Sequence, residues 1–464
     1  MDNKQRNRIL TVLFLGVLMG ALDIAIVGPA LPAIRSEFNV NERLLAWIFS
    51  IYVLFNLIGT PLMAKLSDLS GRRIIYLLDI ALFATGSLIV ALSRDFSLLL
   101  VGRAIQGFGA GGIFPVASAV IGDVFPADKR GRALGLIGAV FGLAFIIGPI
   151  LGGVIMSLAT WHWLFLINLP IALVIIVMAV RILPATRPEH SGRFDWLGML
   201  VVAGALASFA YGINQLDTSS IFASLISPQV WPFLAAAVVL VLVLIPIEKR
   251  AQNPVLPGNL FSRRQLGLAY AISAGAGVGE ASLVYLPLLA VITLGAYGVT
   301  EHSASFLLMP VVLAMSVASP FVGRLLDKIG SRYVILTGSV LTALGMFLIS
   351  RFADSMTMFI ISGVFIGLGL SSLLGAPIRY IMLNESAPEE RTTSQGVSSL
   401  FTSIGQLLGS AMVGAVAASQ ASGNADAGYT RAFLFIAAIA VVLVLLALPL
   451  KSHHRELADQ ADRS

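Results

Sequence analysis

Long apolar runs separated by short polar, mostly basic segments organise the whole chain. A membrane-crossing helix needs about 20 apolar residues, and fourteen such stretches follow one another at 9–34, 45–64, 74–93, 97–122, 132–157, 162–183, 195–216, 229–247, 266–293, 302–323, 333–351, 356–383, 392–418 and 430–450. They predict an all-α integral membrane protein. The first stretch, Ile9 to Ile34, is too long for a signal-peptide core and contains Asp23 and two prolines, so it reads as a retained first span. With both termini placed in the cytoplasm, 24 of the 30 Lys and Arg residues fall in the termini and cytoplasmic loops, five in external loops, and Arg103 within a span. This bias fixes the orientation expected of the chain.

Composition narrows the picture further. Hydrophobic residues make up 57% of the 464 and charged residues 12%, against roughly 25% charged in ordinary globular domains. No water-soluble fold hides that much apolar surface. A net charge of +6 and a pI near 9.7 would fit nucleic acid binding, but the basic residues are scattered between apolar spans and act as topology signals. Cysteine is absent, which excludes a disulfide framework and a Cys-ligated metal site. No Gly-rich segment ends in the Lys and Ser/Thr needed to cradle phosphates, so ATP is not the expected energy source.

Two patterns repeat at nearly the same interval. Gly135, Ala144, Gly148, Pro149, Gly152 and Gly153 lie in one apolar stretch, and Gly396, Gly405 and Gly409 recur 261 residues after positions 135, 144 and 148. Small residues at four-residue spacing let helices approach closely in lipid, where apolar burial gives them no drive to associate. Pro149 adds a bend that neighbouring helices can accommodate. The loop Ala64-Lys65-Leu66-Ser67-Asp68-Leu69-Ser70-Gly71-Arg72-Arg73 is echoed 259 residues later by Gly323-Arg324-Leu325-Leu326-Asp327-Lys328-Ile329-Gly330-Ser331-Arg332. Gly71 and Gly330 permit a tight turn, and Asp68 can cap a helix and pair with a basic side chain. Two homologous halves follow: a six-helix bundle at 1–187, a two-span insertion with linker at 188–262, a second six-helix bundle at 263–450 and a cytoplasmic tail at 451–464.

With these motifs the chain resembles the major facilitator superfamily, and within it the fourteen-span drug:proton antiporter family, over about residues 1 to 450. The Asp68 loop is similar to the family's loop motif between spans 2 and 3, with Ala64 and Leu69 departing from its usual residues. Arg103, Gln106, Gly107 and Gly109 resemble the arginine motif of span 4, which is linked to proton transfer. Gly148-Pro149-Ile150-Leu151-Gly152-Gly153 resembles the span 5 motif of exporters, with Ala144 where Gly is usual. Leu22 to Pro32 resembles the span 1 signature of the fourteen-span group, with Ala25 and Gly28 replacing the expected Thr and Asn. Trp47, Tyr52, Leu54 and the run Trp161 to Pro170 fit that group as well, His162 standing where Arg is common. The resemblance implies two six-helix bundles with two additional spans between them.

Ionisable groups inside spans mark function by default, and three stand out: Asp23, Arg103 and Glu280. At 1.5 Å per residue, Asp23 lies roughly 20 Å from the cytoplasmic start of span 1 and Glu280 about as deep in span 9. The repeat offset carries Asp23 to within a turn of Glu280, and repeat-built transporters place coupling sites at that interface. Arg103 sits at a depth from which it can pair with Asp23. Desolvation and Arg103 pull the carboxylate's proton affinity in opposite directions, so the site could load and release a proton; the alternative is a permanent buried ion pair. Asp79 and Arg379, within about two turns of the boundary, are expected to snorkel to it. Asp217 and His302 fall near external ends, and Asn214 and Gln215 could line an outer mouth.

The expectation is therefore a proton-coupled multidrug efflux transporter of the cell membrane and not an enzyme. It would be a monomer without cofactor, driven by the proton gradient. Its partners would be amphipathic or cationic small molecules, protons and membrane lipid, with no nucleic acid and no metal. An exporter of one physiological solute or lipid, and a non-transporting sensor or scaffold, remain the alternatives.

Overall fold

A computed structural model describes residues 2–40, 47–185, 194–216, 220–252, 254–299, 304–418 and 425–456. The principal helices are α1 (Asn3–Phe38), α2 (Trp47–Ser70), α3 (Arg72–Ala91), α4 (Phe96–Val124), α5 (Ala127–Leu158), α6 (His162–Leu166), α7 (Asn168–Ile182), α8 (Trp196–Asn214) and α9 (Trp231–Arg250). They continue with α10 (Arg264–Ala281), α11 (Leu286–Thr293), α12 (Met309–Ile329), α13 (Ser331–Phe352), α14 (Met356–Leu374), α15 (Ala376–Glu385), α16 (Arg391–Ala418) and α17 (Ala425–Ala447). No strand occurs among the described residues. Eleven helical segments among them are long and apolar enough to cross a membrane. The other three predicted stretches are helical too, in α5, in α10 with α11, and in α16.

Local chemistry sets the helix ends. Asp2, Asp95 and Asp195 each accept a hydrogen bond from a backbone N–H three residues on, satisfying a donor that the first turn leaves free. Between α2 and α3 the chain turns at Gly71 with φ 100°, and between α12 and α13 at Gly330 with φ 82°. Both values lie where a side chain would be strained, so these two glycines make the turns possible.

Several buried apolar clusters result, and two of the largest lie mainly in one half each. Leu13, Tyr76, Phe83, Ile121 and Ile175 are enclosed among α1, α3, α4, α5 and α7. Met346, Phe359, Ile366, Phe433 and Ile436 are enclosed among α13, α14 and α17. The halves meet where α5 packs against α12 and α2 against α16. α8 and α9 pack on each other and lie along this second seam, where Met199 and Leu206 of α8 and Leu244 of α9 cluster with Leu57 of α2 and Leu400 of α16. The opposite side of α9 exposes Val238, Val239 and Leu242, as expected of a helix that faces lipid.

Candidate functional site

In the first half, five helices converge on Asp23. Its carboxylate accepts from Arg103 Nη1 at 2.6 Å, from Gln106 Nε2 at 2.7 Å and from Asn168 Nδ2 at 3.2 Å. Arg103 and Gln106, three apart on α4, share a face and are themselves joined at 2.6 Å. Gln106 and Asn168 both donate to Ser87 on α3. Arg103 Nε donates to the Ile48 carbonyl of α2, and its guanidinium lies 4.2 Å from the centre of the Tyr52 ring. Asp23 and Arg103 both have 0% exposure. Charge-assisted bonds of this kind are short and strong, and they offset the cost of taking two charges out of water. Arg103 Nη2 alone is left buried without a partner.

Close backbone approach makes this convergence possible. A side chain at Gly107 would meet the Tyr52 carbonyl oxygen of α2 at 2.2 Å, and one at Gly109 the Asp79 carbonyl oxygen of α3 at 2.7 Å. On α5, Gly148 sits against Ala25, two residues from Asp23, and a Cβ added there would lie 2.4 Å from the Ala25 Cβ, an overlap. Gly135, earlier on the same helix, faces Ser319 and Gly323 of α12 in the other half. The repeat behaves alike: Gly396 lies against Ala64 of α2, and Gly405 and Gly409 against Ala274 and Val278 of α10. Gly152 is buried, whereas a side chain at Gly153 would meet nothing within 4 Å. Gly153, which belongs to the span 5 motif but not to the four-residue series, makes no close contact. The side chain of Pro149 lies outside the described residues, as do Asp217, His302 and the side chain of Asn214.

Between the halves lies a cavity of about 260 Å³, lined by Tyr52 and Phe114 from the first half and by Glu280, Arg379, Ser399 and Gln406 from the second, among others. Glu280 accepts from Gln406 Nε2 at 2.8 Å. The structure thus joins Asp23 to Arg103 but leaves Glu280 apart from them. Tyr52 stands between the two sites, one part of it lining the cavity and its ring face on Arg103.

One face of the molecule is bridged by the two repeated loops. Asp68 accepts from the backbone N–H of Thr392 at 3.2 Å and of Thr393 at 2.7 Å, from the Thr393 hydroxyl at 2.7 Å, and from Arg72 at 2.5 Å. Arg72 also bonds Asp123, the Thr392 hydroxyl and the Pro388 carbonyl. Asp327 accepts from the N–H of Gly131 at 3.0 Å and of Arg132 at 3.1 Å. Each aspartate therefore grips a helix of the other half, Asp68 at the first turn of α16, where unpaired N–H groups favour a carboxylate, and Asp327 at the second turn of α5. Ser331 occupies the place of Arg72 in the second copy, and its N–H and hydroxyl bond Glu456 of the C-terminal segment. Arg73 reaches the Leu183 carbonyl at 3.5 Å, while Arg332 lies 6.0 Å from the Tyr333 ring and its Nε has no partner.

Two expectations fail. Asp79 does not reach the boundary: it is fully buried, packed on Gly112 of α4, and neither carboxylate oxygen has a hydrogen-bond partner. Arg379 does not snorkel either: the chain breaks at Gly375, and on α15 Arg379 lies buried beside the cavity, bonded to Gln395 and Ser399. Sequence reasoning also missed Ser87 and Gln406 as partners of the buried acids. Asn168 falls within the Trp161 to Pro170 run, but only its convergence on Asp23 shows what it does.

A helical membrane protein with two repeated halves around a central cavity has the build of a transporter. The sequence profile of the Major Facilitator Superfamily matches residues 13–295 and, in a second match, 266–463. The chain belongs to that superfamily. It is 32% identical to the MFS-type transporter YfiU of Bacillus subtilis over 412 residues, covering 88% of this chain and 79% of that one. Multidrug resistance protein 3 of the same organism is 28% identical over 414 residues, covering 87% and 78%. The multidrug transporter protein MdtP, also from Bacillus subtilis, is 29% identical over 427 residues, covering 91% and 77%. Among solved structures, the human organic anion transporter MFSD10 aligns with a TM-score of 0.72 and 18% identity, over 96% of this chain and all of that one. At that identity the likeness concerns the fold. The chain is thus a multi-pass membrane transporter and not an enzyme.

Proposed function

We propose that the chain is a proton-coupled exporter of amphipathic or cationic compounds, of the fourteen-span kind, working as a monomer in the cell membrane with both termini in the cytoplasm. The proton gradient is its only energy source, and it takes no cofactor. The observation that carries the reading is the placement of Asp23, an acid enclosed with Arg103 one layer behind a cavity that both halves line. Two relatives bear multidrug names, which supports an amphipathic substrate.

In this mechanism Asp23 is the coupling carboxylate. A proton on Asp23 removes its charge and weakens its hold on Arg103, whose bonds to the Ile48 carbonyl and Gln106 tie α4 to α2 and to itself. Glu280, facing the cavity, is the accessory site for a proton or a cationic group. The bridged face closes the cavity on the cytoplasmic side, and rocking of one half on the other opens it. Asp23→Asn tests the assignment, because it keeps size and hydrogen bonding and removes titration. In proteoliposomes, proton-driven efflux is expected to vanish while downhill exchange survives. If a variant with both Asp23 and Arg103 neutralised pumps uphill at the normal rate, the pair is structural and the coupling assignment is wrong.

A further inference from the structure

Arg379 has no role in the mechanism above, yet it is the one cationic side chain among the described residues that lines the central cavity. It is 7% exposed. Its Nη1 donates to the Gln395 carbonyl at 3.0 Å, to Gln395 Oε1 at 3.2 Å and to the Ser399 hydroxyl at 3.0 Å. All of these acceptors are neutral, and among the described residues no carboxylate pairs with it. On its other side the guanidinium lies 4.4 Å from the centre of the Phe114 ring, across the seam between the halves. A buried cation without a counter-charge is costly. Nature tolerates such a group where it meets a charge that comes and goes.

The backbone around it points the same way. α14 ends at Leu374, Gly375 breaks the helix at φ −94° and ψ −139°, and α15 restarts at Ala376 with no side chain capping it. Leu374, Gly375 and Arg379 all line the cavity. The positive end of a half-helix is thus presented at the cavity wall within one turn of the guanidinium. Half-helix N-termini and a cation together suit an anionic group. The apolar side of the same space, with Val17, Ile24, Ile113, Met315 and Leu370, suits a ring system or hydrocarbon.

We propose that Arg379 and the start of α15 form an anion subsite in the central cavity, so that the exported substrates include amphiphiles bearing a carboxylate or sulfonate. Glu280, across the same cavity, accommodates a basic group when the substrate is zwitterionic. This rests on the exporter reading and refines its substrate class, adding an acidic group to the amphipathic or cationic compounds named there.

The test uses the full chain in proteoliposomes and two dyes with the same ring system, anilinonaphthalene sulfonate and its uncharged parent phenylnaphthylamine, in downhill counterflow. Wild-type protein is expected to favour the sulfonate in kcat/KM by about tenfold, the scale of one charge-assisted hydrogen bond in a dry site. Arg379→Gln is expected to abolish that preference by raising KM for the sulfonate about tenfold relative to KM for the neutral dye. Arg379→Lys, which keeps the charge but not the fork, is expected to retain part of the preference. Exchange of the neutral dye reports folding in each variant. Equal handling of the two dyes by the wild type overturns the proposal. So does a loss of both dyes in Arg379→Gln that Arg379→Lys shares, since Arg379 would then serve only to hold α15 on α16. Counterflow needs no proton gradient: failure of the coupling reading leaves the sulfonate preference intact and shows instead as exchange that a pH gradient does not accelerate.

Discussion

Asp68→Asn separates the two bridged contacts by strength. The wild-type carboxylate accepts two backbone N–H groups of α16, a threonine hydroxyl and the Arg72 guanidinium. Asparagine keeps one acceptor oxygen and loses the charge, and hydrogen bonds to charged groups contribute about 1.5–3 kcal/mol each. A loss of about 2 kcal/mol from the bridged state shifts its equilibrium with the open state about thirtyfold. Among the described residues Asp327 accepts two backbone N–H groups and no guanidinium, so Asp327→Asn loses less, about 1 kcal/mol, and shifts the equilibrium about fivefold. Because the chain has no cysteine, spin labels at Ser70→Cys and Glu389→Cys, both exposed and on opposite sides of the Asp68 bridge, report on this face alone. Electron–electron distance measurements on Asp68→Asn should show a new long-distance population, and on Asp327→Asn a smaller one. Unchanged distances in Asp68→Asn, or equal opening in both variants, would refute the reasoning.

Gly148→Leu drives a side chain into Ala25 beside Asp23, an overpacking of about 1–3 kcal/mol; transport should be lost while membrane insertion persists. Gly153→Leu should transport as wild type does, since nothing lies within 4 Å of its Cβ, and a transport assay on the two variants decides the point. Burial pushes the Glu456 carboxyl above the usual carboxylate range, opposed by its bonds from Ser331. The docked segment then holds its proton more tightly than the free one, so docking is fullest at low pH and is lost as pH rises through the raised pKa. A spin label at Arg455→Cys should become more mobile over that rise, Glu456→Gln should remove the dependence, and a label indifferent to pH in the wild type would sink the idea.

The helical course and the two-fold repetition are legible in the sequence because lipid leaves few ways to satisfy a backbone, so hydropathy and loop spacing carry most of the information. The pairing of Asp23 with Arg103 was reachable by counting depth along straight helices. The same arithmetic failed for Arg379, since it takes α14 and α15 as one continuous rod and Gly375 interrupts it. It failed for Asp79 because depth says nothing of which way a side chain turns, and this one turns onto the bare backbone at Gly112. Ser87 and Asn168 carry no signal of their own: they matter only because α3, α4 and α7 bring them to one carboxylate. The glycine repeat announced close packing but not its partner, and Gly135 and Gly148, on one helix, serve different neighbours.

The two aspartate bridges have a reciprocal form: the first half's acid grips the second half's helix and the second half's acid grips the first's. This is the contact a two-fold dimer makes with itself, in which any substitution is felt twice. Once both copies lie in a single chain that constraint is gone, and each contact can drift independently. Here they differ: a guanidinium at Arg72 reinforces one, and at the matching place Ser331 instead anchors the segment that carries Glu456. Asymmetry of this kind gives the two contacts different strengths, and so a preferred order of release.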